Sequence, residues 1–167
     1  MNPIPPLLVL PAALLLAAAS PVRADDAPPQ VLPIEARWCL ESERCIALEV
    51  ARTPRQQTMG LQLRPALPPL RGMWFPYATP TPAHFWMHRT PAALDMLFVR
   101  GNRVIAIEAN ARPCMQLPCR SYGPGELVDG VIELAAGQAA AQGLAVGSPV
   151  RIESITPPLQ AGGRSHP

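Results

Sequence analysis

The sequence predicts one mainly β domain with two short helices, in a compact, barrel-like arrangement, and two observations support this. Short β-prone runs recur along the chain, and turn signals such as Gly101-Asn102 separate them. Near the end, residues 143–152 read GLAVGSPVRI, which resembles the turn and strand that close many small β-barrels. We place this domain at residues 31–156, a length that suits one hydrophobic core.

The first 24 residues have the pattern of an export signal. An uncharged apolar run extends from Leu7 to Ala19, and small or apolar residues precede a cleavage site that we place after Ala24. The run is interrupted by Pro11 and is shorter than the roughly 20 residues of a bilayer span, so it favours a cleaved signal over a permanent membrane anchor. We therefore expect a periplasmic or secreted protein, with a flexible segment at 25–30 and a disordered tail at 157–167.

The charge pattern argues against a nucleic-acid partner. The formal net charge is +2, and the basic residues are arginines that are scattered rather than clustered. We expect no contact with nucleic acid and a monomeric protein.

The first predicted element is a hairpin that carries two cysteines. Trp38-Cys39 and Cys45 to Val50 are β-prone runs on either side of a five-residue polar loop. Four cysteines in an exported chain favour disulfides over a zinc site, and among three possible connectivities we favour Cys39 with Cys45 and Cys114 with Cys119. Each bond would contribute on the order of 2 kcal/mol.

The remaining elements follow from local signals. Thr53-Pro54-Arg55-Gln56 matches a capping box, and Gly60 would end that helix after barely two turns. A Pro-rich loop is expected from Tyr77 to Pro82. The other predicted elements are strands at Trp74 to Tyr77, Phe85 to His88, Leu94 to Val99, Arg103 to Ala109, Leu127 to Leu134 and Val150 to Ile155, and a helix from Gly137 to Gln142 closed by Gly143.

Five separated blocks resemble the bacterial and archaeal family named domain of unknown function 192. They read TPRQQTMGLQLR, GMWFPY, HFWMHRTPAALDMLFV, ARPCMQLPC and VIELAAGQAAAQGLAVGSPVRI, in this order, over residues 50–155. The resemblance implies a compact, largely β, barrel-like domain that is often exported and has no established activity. Glu133 matches a family position, for which we expect a capping role or a pairing with an arginine.

A single acid lies in an otherwise apolar run. Asp95 falls between Leu94 and Met96, and a buried carboxylate requires a cationic or hydrogen-bonding partner, for which His88, Arg89 and Arg71 are candidates. It could be a general base or ligand-orienting acid with a shifted pKa. Alternatively, it could be a structural tie between its strand and the loop after Gly72, which is the interpretation we favour.

Aromatic crowding indicates a binding surface. Five of the eight aromatic residues lie within thirteen positions, where they could form a stacking platform or simply the core. The predicted ligand-binding residues are Trp74, Tyr77, Trp86, Met87, His88 and Asp95. His84 and His88 are four residues apart on a predicted strand, about 13 Å along it, so we predict no metal site there and no cofactor.

Three functional hypotheses remain open. The leading one is a binding or accessory module of the cell envelope for a small molecule, sugar or peptide. The second is a hydrolytic or transfer enzyme that uses Asp95 with His88 or Glu133, although the chain has no established catalytic motif. The third is a structural envelope protein that binds another protein.

Overall fold

The computed structural model describes residues 28–40 and 44–155. The predicted signal peptide, half of the expected flexible segment and the predicted tail lie outside these residues. The described elements, in chain order, are β1 (Ile34–Cys39), β2 (Cys45–Val50), α1 (Pro54–Met59), β3 (Arg71–Pro82), β4 (Phe85–Trp86), β5 (Leu94–Arg100), β6 (Arg103–Ala111), β7 (Ser121–Tyr122), β8 (Leu127–Ala135), α2 (Gln138–Ala141) and β9 (Ile152–Ser154). The domain is thus mainly β with two short helices, as the sequence predicts.

Seven strands form one sheet in the order β6-β5-β8-β3-β2-β1-β9, and β4 pairs with β7 in a small second sheet. Neighbouring strands are antiparallel except β2 and β3, which are parallel and are joined by the crossover that contains α1. Strand β8 lies between β3 and β5, so the C-terminal part of the chain completes the centre of the sheet.

The large sheet is not closed into a barrel, which corrects that part of the expectation. The segment predicted to close it does approach the edge strand β6: the amide of Val104 donates to the Ser148 carbonyl at 3.0 Å, and the amide of Gly147 donates to the Val104 carbonyl at 2.8 Å. The chain then leaves β6, and β9 pairs with β1 at the opposite edge. One segment therefore contacts both edges without forming a continuous ladder between them.

Both predicted disulfides are present. Cys39 and Cys45 are directly opposite each other on β1 and β2, which form the predicted antiparallel hairpin. Cys114 and Cys119 close a short loop between β6 and β7. All four cysteines are therefore oxidised, which is typical of exported proteins.

Two other local predictions are confirmed. In the capping box, Thr53 Oγ1 accepts from the Gln56 amide at 3.2 Å, and Gln56 Oε1 accepts from the Thr53 amide at 2.9 Å. Gly101 and Asn102 have φ values of 56° and 59° and connect β5 to β6 as a two-residue turn, because a type I′ turn needs positive φ at both positions.

Several predicted boundaries are corrected. The Pro-rich stretch is not a loop, because β3 continues through Pro82 with a register shift between Pro76 and Thr81. Strand β4 ends at Trp86, and His88 makes only an isolated bridge to Cys114. The last strand is limited to Ile152–Ser154, and the sequence did not indicate β7.

The large sheet buries both of its faces. One face, here called the Met73 face, carries Phe75 and Phe98 and is covered by the segments that contain Leu61 and Met87. The other, here called the Leu134 face, carries Trp38 and Leu97 and is covered in part by α2 through Ala139. Because successive strand residues point to opposite faces, a residue's register position decides which core it joins.

Candidate functional site

A row of acids and methionines crosses the Met73 face. Along this row Glu49 on β2 is opposite Met73 on β3, which is opposite Glu133 on β8. Glu133 is in turn opposite Met96 on β5, which is opposite Glu108 on β6. Directly opposed residues lie on the same side of a sheet with Cβ atoms about 5 Å apart, so these five side chains are lateral neighbours. We call them the acid–methionine row.

The two outer acids of the row have arginine partners. Glu49 is buried, and both its oxygens accept from Arg64, at 2.8 Å and 2.9 Å, while the Leu32 amide donates to it at 2.8 Å. Glu108 lies near the edge of the sheet, 3.5 Å from the Arg120 guanidinium. Both carboxylates are therefore charge-compensated.

The central acid, Glu133, has no such partner. It is only 4% exposed, and no hydrogen bond or ion pair connects it to any other residue in the described part of the chain. Burial raises its pKa from 4.5 to about 8, because an apolar environment disfavours the charged carboxylate. The expected capping or arginine-pairing role is therefore wrong: Glu133 lies within β8, ahead of α2, and in the described residues it neither caps that helix nor pairs with an arginine.

Tyr77 on β3 lies close enough to Glu133 to respond to its charge. The pKa of the Tyr77 hydroxyl is raised, first by burial and second by the negative charge of Glu133. Tyr77 is only partly buried and packs on the core of the Met73 face. Its ring is therefore partly exposed and within electrostatic range of the buried carboxyl.

Asp95 belongs to the other side of the sheet. It is opposite Leu134 on β8, so it points to the Leu134 face and away from Glu133. Its Oδ1 accepts from the Asn110 amide and its Oδ2 from the Ala139 amide, both at 2.9 Å. The predicted side-chain partners of Asp95, which were His88, Arg89 and Arg71, are therefore wrong. The predicted tie between its strand and the loop after Gly72 is wrong as well.

The arrangement separates one of the two pairs that the enzyme hypothesis uses, Asp95 with Glu133. Asp95 and Glu133 are separated by the sheet, and both oxygens of Asp95 already accept backbone hydrogen bonds. Asp95 is therefore placed as a structural acceptor that holds α2 and the end of β6.

The six predicted ligand-binding residues do not line one groove. Trp74 is half-buried against the Leu134 face, whereas Tyr77 and Met87 belong to the core of the Met73 face. Trp86 is 49% exposed, and its ring lies 5.5 Å from that of His88, centroid to centroid. Of the six, the structure brings Trp86 and His88 together at the surface.

Trp86 and His88 adjoin an exposed apolar surface. Trp86 pairs with Ser121 on β7, and His88 bridges to Cys114, which begins the disulfide-closed loop. That loop exposes Met115 and Leu117 by 56% and 62%. We call Trp86, His88, Met115 and Leu117 the Trp86 surface.

Two cavities lie elsewhere. One of about 590 Å³ lies beside the Cys39–Cys45 disulfide and is lined also by Arg44, Gln142 and Arg151. A smaller one of about 270 Å³ includes Trp74 and Asp129. Neither includes Glu133 or the Trp86 surface. Of the six predicted ligand-binding residues, Trp74 alone lines either of these two cavities.

A family model described as "DUF192: Uncharacterized ACR" matches residues 37–152. The chain belongs to the DUF192 family. The match begins within β1 and ends at the first residue of β9, and it contains the acid–methionine row and the Trp86 surface.

Two solved structures resemble this DUF192 protein along most of its length. One is a protein of unknown function from Novosphingobium aromaticivorans, with 30% identity and a TM-score of 0.63, covering 80% of this chain and 99% of that one. The other is described as a candidate transcription regulator from Sinorhizobium meliloti, with 31% identity and a TM-score of 0.61, covering 72% of this chain and 92% of that one. No curated protein matches.

Two kinds of feature are absent from the described part of this DUF192 chain. No helix in residues 28–40 and 44–155 is long and apolar enough to cross a membrane. Within the same residues, no group of three or more His, Cys, Asp or Glu side chains is arranged to bind a metal ion.

Sequence reasoning did not single out four members of the row, which are Glu49, Met73, Met96 and Glu108. The signal that drew attention to Asp95, a lone acid in an apolar run, also applies to Glu49 in CIALEV and to Glu133 in VIELA. The strand order is needed to place Glu49 and Glu133 in one row, and the sequence did not provide that order.

Proposed function

We propose that this protein is a binding module of the cell envelope that recognises an extended, apolar peptide segment through the Trp86 surface. The observation that supports this proposal is the clustering of three exposed, large apolar side chains, Trp86, Met115 and Leu117, on a rigid framework. Large apolar residues exposed together cost solvation free energy and are typical of protein-interaction sites.

The framework of this surface is fixed by covalent and backbone contacts. The Cys114–Cys119 disulfide closes the loop that carries both aliphatic residues, and the Arg89 amide donates to the Cys114 carbonyl at 2.9 Å. A preorganised surface loses less conformational entropy when a ligand binds. Trp86 would then act as the central anchor, as tryptophans often do in interfaces.

A polar rim borders the apolar residues. The Arg120 guanidinium lies 4.7 Å above the Tyr122 ring, next to the β4–β7 pair. An apolar centre with arginine at its rim is the usual composition of a protein interface. A sugar needs polar partners for its hydroxyl groups, and neither Met115 nor Leu117 supplies one, so a peptide suits this surface better.

Export would bring this surface to the periplasm or the exterior. The two disulfides support that location, and the sequence places signal cleavage after Ala24. The description of the Sinorhizobium protein as a candidate transcription regulator is not carried over, because a net charge of +2 from scattered arginines gives little attraction for DNA.

Selection from a library of random displayed peptides tests this proposal. We expect the oxidised full chain to enrich apolar sequences whose binding is lost in Trp86→Ala and weakened in Leu117→Ser. Val146→Ser is the matched control, because Val146 is equally exposed, at 65%, but lies outside the Trp86 surface. Equal binding by the wild-type protein and Trp86→Ala, or enrichment of no sequence, would rule out this surface; binding of cell-wall sugars that depends on Trp86 would replace the peptide by a saccharide.

A further inference from the structure

Glu133 differs from the other buried acids of the core because its carboxyl has no partner in the described residues. The other two acids in the core are satisfied: Glu49 by Arg64 and a backbone amide, and Asp95 by two backbone amides. Glu133 is 4% exposed, and its carboxyl has no hydrogen-bonding partner in the described part of the chain. A buried polar group that lacks a protein partner calls for a ligand, a water molecule or an ion.

Two methionines flank this carboxyl, and a third lies in the same core. Met73 and Met96 are its direct neighbours on the two adjoining strands, on the same face of the sheet. Met87, from the segment that covers this face, is buried in the same core cluster at 1% exposure. Half of the chain's six methionines therefore lie in one core with the unpaired acid.

The thioether and carboxyl groups of these residues favour a particular class of metal ion. Thioether sulfur is a soft ligand that favours Cu(I), whereas Ca²⁺ and Mg²⁺ require several oxygen ligands. Three neutral thioethers and one carboxylate around a monovalent ion give a complex with no net charge, which an apolar core accommodates at low cost. The carboxyl proton passes to solvent as the ion binds, so the charges balance.

We propose that Met73, Met87, Met96 and Glu133 form a binding site for a soft monovalent metal ion, Cu(I). This proposal is independent of the peptide-binding proposal, since the Trp86 surface shares none of these residues. Flexible methionine side chains are well suited to turn their sulfur atoms toward an ion, because three bonds rotate in each. The ion would enter beside Tyr77, whose partly buried ring lies within the electrostatic reach of Glu133.

A titration with Ag(I) tests the site without a reductant that would open the disulfides. Silver is a stable analogue of Cu(I), and the oxidised full chain is expected to bind one equivalent by calorimetry and native mass spectrometry. In protein labelled with ¹³C at the methionine methyl groups, the signals of Met73, Met87 and Met96 should shift. Met59 and Met115 are internal references, because they lie outside the proposed metal site and their signals should not move.

Substitutions that preserve shape identify the ligands. Met73→Leu and Met96→Leu keep the volume of the core. Each of these single variants, and likewise the single variant Glu133→Gln, should weaken Ag(I) binding about tenfold or more. Met59→Leu and Met115→Leu are the matched controls and should bind Ag(I) as the wild-type protein does. Circular dichroism must show that each variant is folded.

Three results would overturn the proposal. These are no saturable Ag(I) binding, unchanged binding in the double variant Met73→Leu/Met96→Leu, and methyl shifts confined to Met59 or Met115. Binding of Zn(II) with an affinity equal to that of Ag(I) would also contradict it, because zinc prefers nitrogen, thiolate and carboxylate ligands over thioethers.

Discussion

Asp95 on β5 accepts a hydrogen bond of 2.9 Å from the backbone amide of Ala139 on α2, forty-four residues later in the chain. Its second oxygen accepts from Asn110, whose φ of 53° places it in the left-handed region at the end of β6. One buried carboxylate thus satisfies two amides from elements that do not otherwise pair. The contact holds the short helix α2 on the Leu134 face of the sheet.

Replacing Asp95 by Asn should destabilise the fold. Asn keeps the shape of the side chain but has one carbonyl oxygen, so one of the two amides would face an NH₂ group. We expect the free energy of unfolding to fall by about 2–3 kcal/mol, because hydrogen bonds to charged groups contribute in that range. Urea denaturation measures the change.

Asp129→Asn is the matched control for this prediction. Asp129 also accepts from a backbone amide, that of Gly101 at 2.7 Å, but at an exposed turn. Its substitution should cost under about 1 kcal/mol, because water can replace the lost contact. Equal losses in the two variants would contradict the structural role of Asp95.

Arg64→Met should cost more than the loss of any surface ion pair. Arg64 contacts both oxygens of Glu49, and its removal leaves a buried carboxylate with only the Leu32 amide. We expect a loss of roughly 3–5 kcal/mol in urea denaturation, because breaking a buried pair leaves an uncompensated charge.

The exposed pair of Arg37 and Glu153 provides the comparison. Their atoms are 2.8 Å apart, but both side chains are more than half exposed, so Arg37→Met should cost under about 1 kcal/mol. Adding Glu49→Gln to Arg64→Met should recover part of the loss, since it removes the stranded charge. A double variant less stable than Arg64→Met would argue against this explanation.

Gly130→Ala should disturb the packing of Trp74. A Cβ atom at Gly130 would overlap the Trp74 ring and lie 2.5 Å from the Phe75 carbonyl oxygen, which belongs to the backbone and cannot turn away. We expect a loss of roughly 1–3 kcal/mol, with a change in near-ultraviolet circular dichroism as the indole moves. Gly101→Asn is the control: the space there is open and Asn tolerates the positive φ, so an equal loss would contradict a steric cause.

The features that the sequence predicted well depend on neighbours in the chain. The Cys39–Cys45 hairpin, the Thr53 capping box and the Gly101-Asn102 turn each involve contacts within six residues, so their signals are local. The family blocks gave the mainly β fold for the same span. These patterns carry no information about which non-adjacent strands pair.

The features that it missed depend on strand order. Because β8 inserts between β3 and β5, Glu133 reaches Met73 and Met96, which are far from it in sequence. The same insertion puts Asp95 on the opposite face from Glu133, which separates two acids that the sequence had combined. A lone acid in an apolar strand was a correct sign of burial, but its partner could be identified only from the sheet register.

Glu133→Gln should change how stability depends on pH. The folded protein holds the Glu133 proton up to about pH 8, whereas the unfolded chain loses it near 4.5, so the wild-type protein loses stability as the pH rises through that window. Gln cannot ionise and avoids this loss. The stability of the variant relative to the wild-type protein should therefore increase with rising pH, by a total on the order of 5 kcal/mol, since each pKa unit corresponds to about 1.4 kcal/mol.

Urea denaturation at a series of pH values measures this difference. Glu126→Gln is the control, because Glu126 is exposed and its variant should follow the wild-type profile in parallel. If the Glu133→Gln profile also ran parallel to the wild type between about pH 5 and pH 8, the carboxyl would already be ionised at the lower end of that range. A compensating group would then have to lie beside Glu133, and the unpaired carboxyl that motivates the metal site would no longer exist.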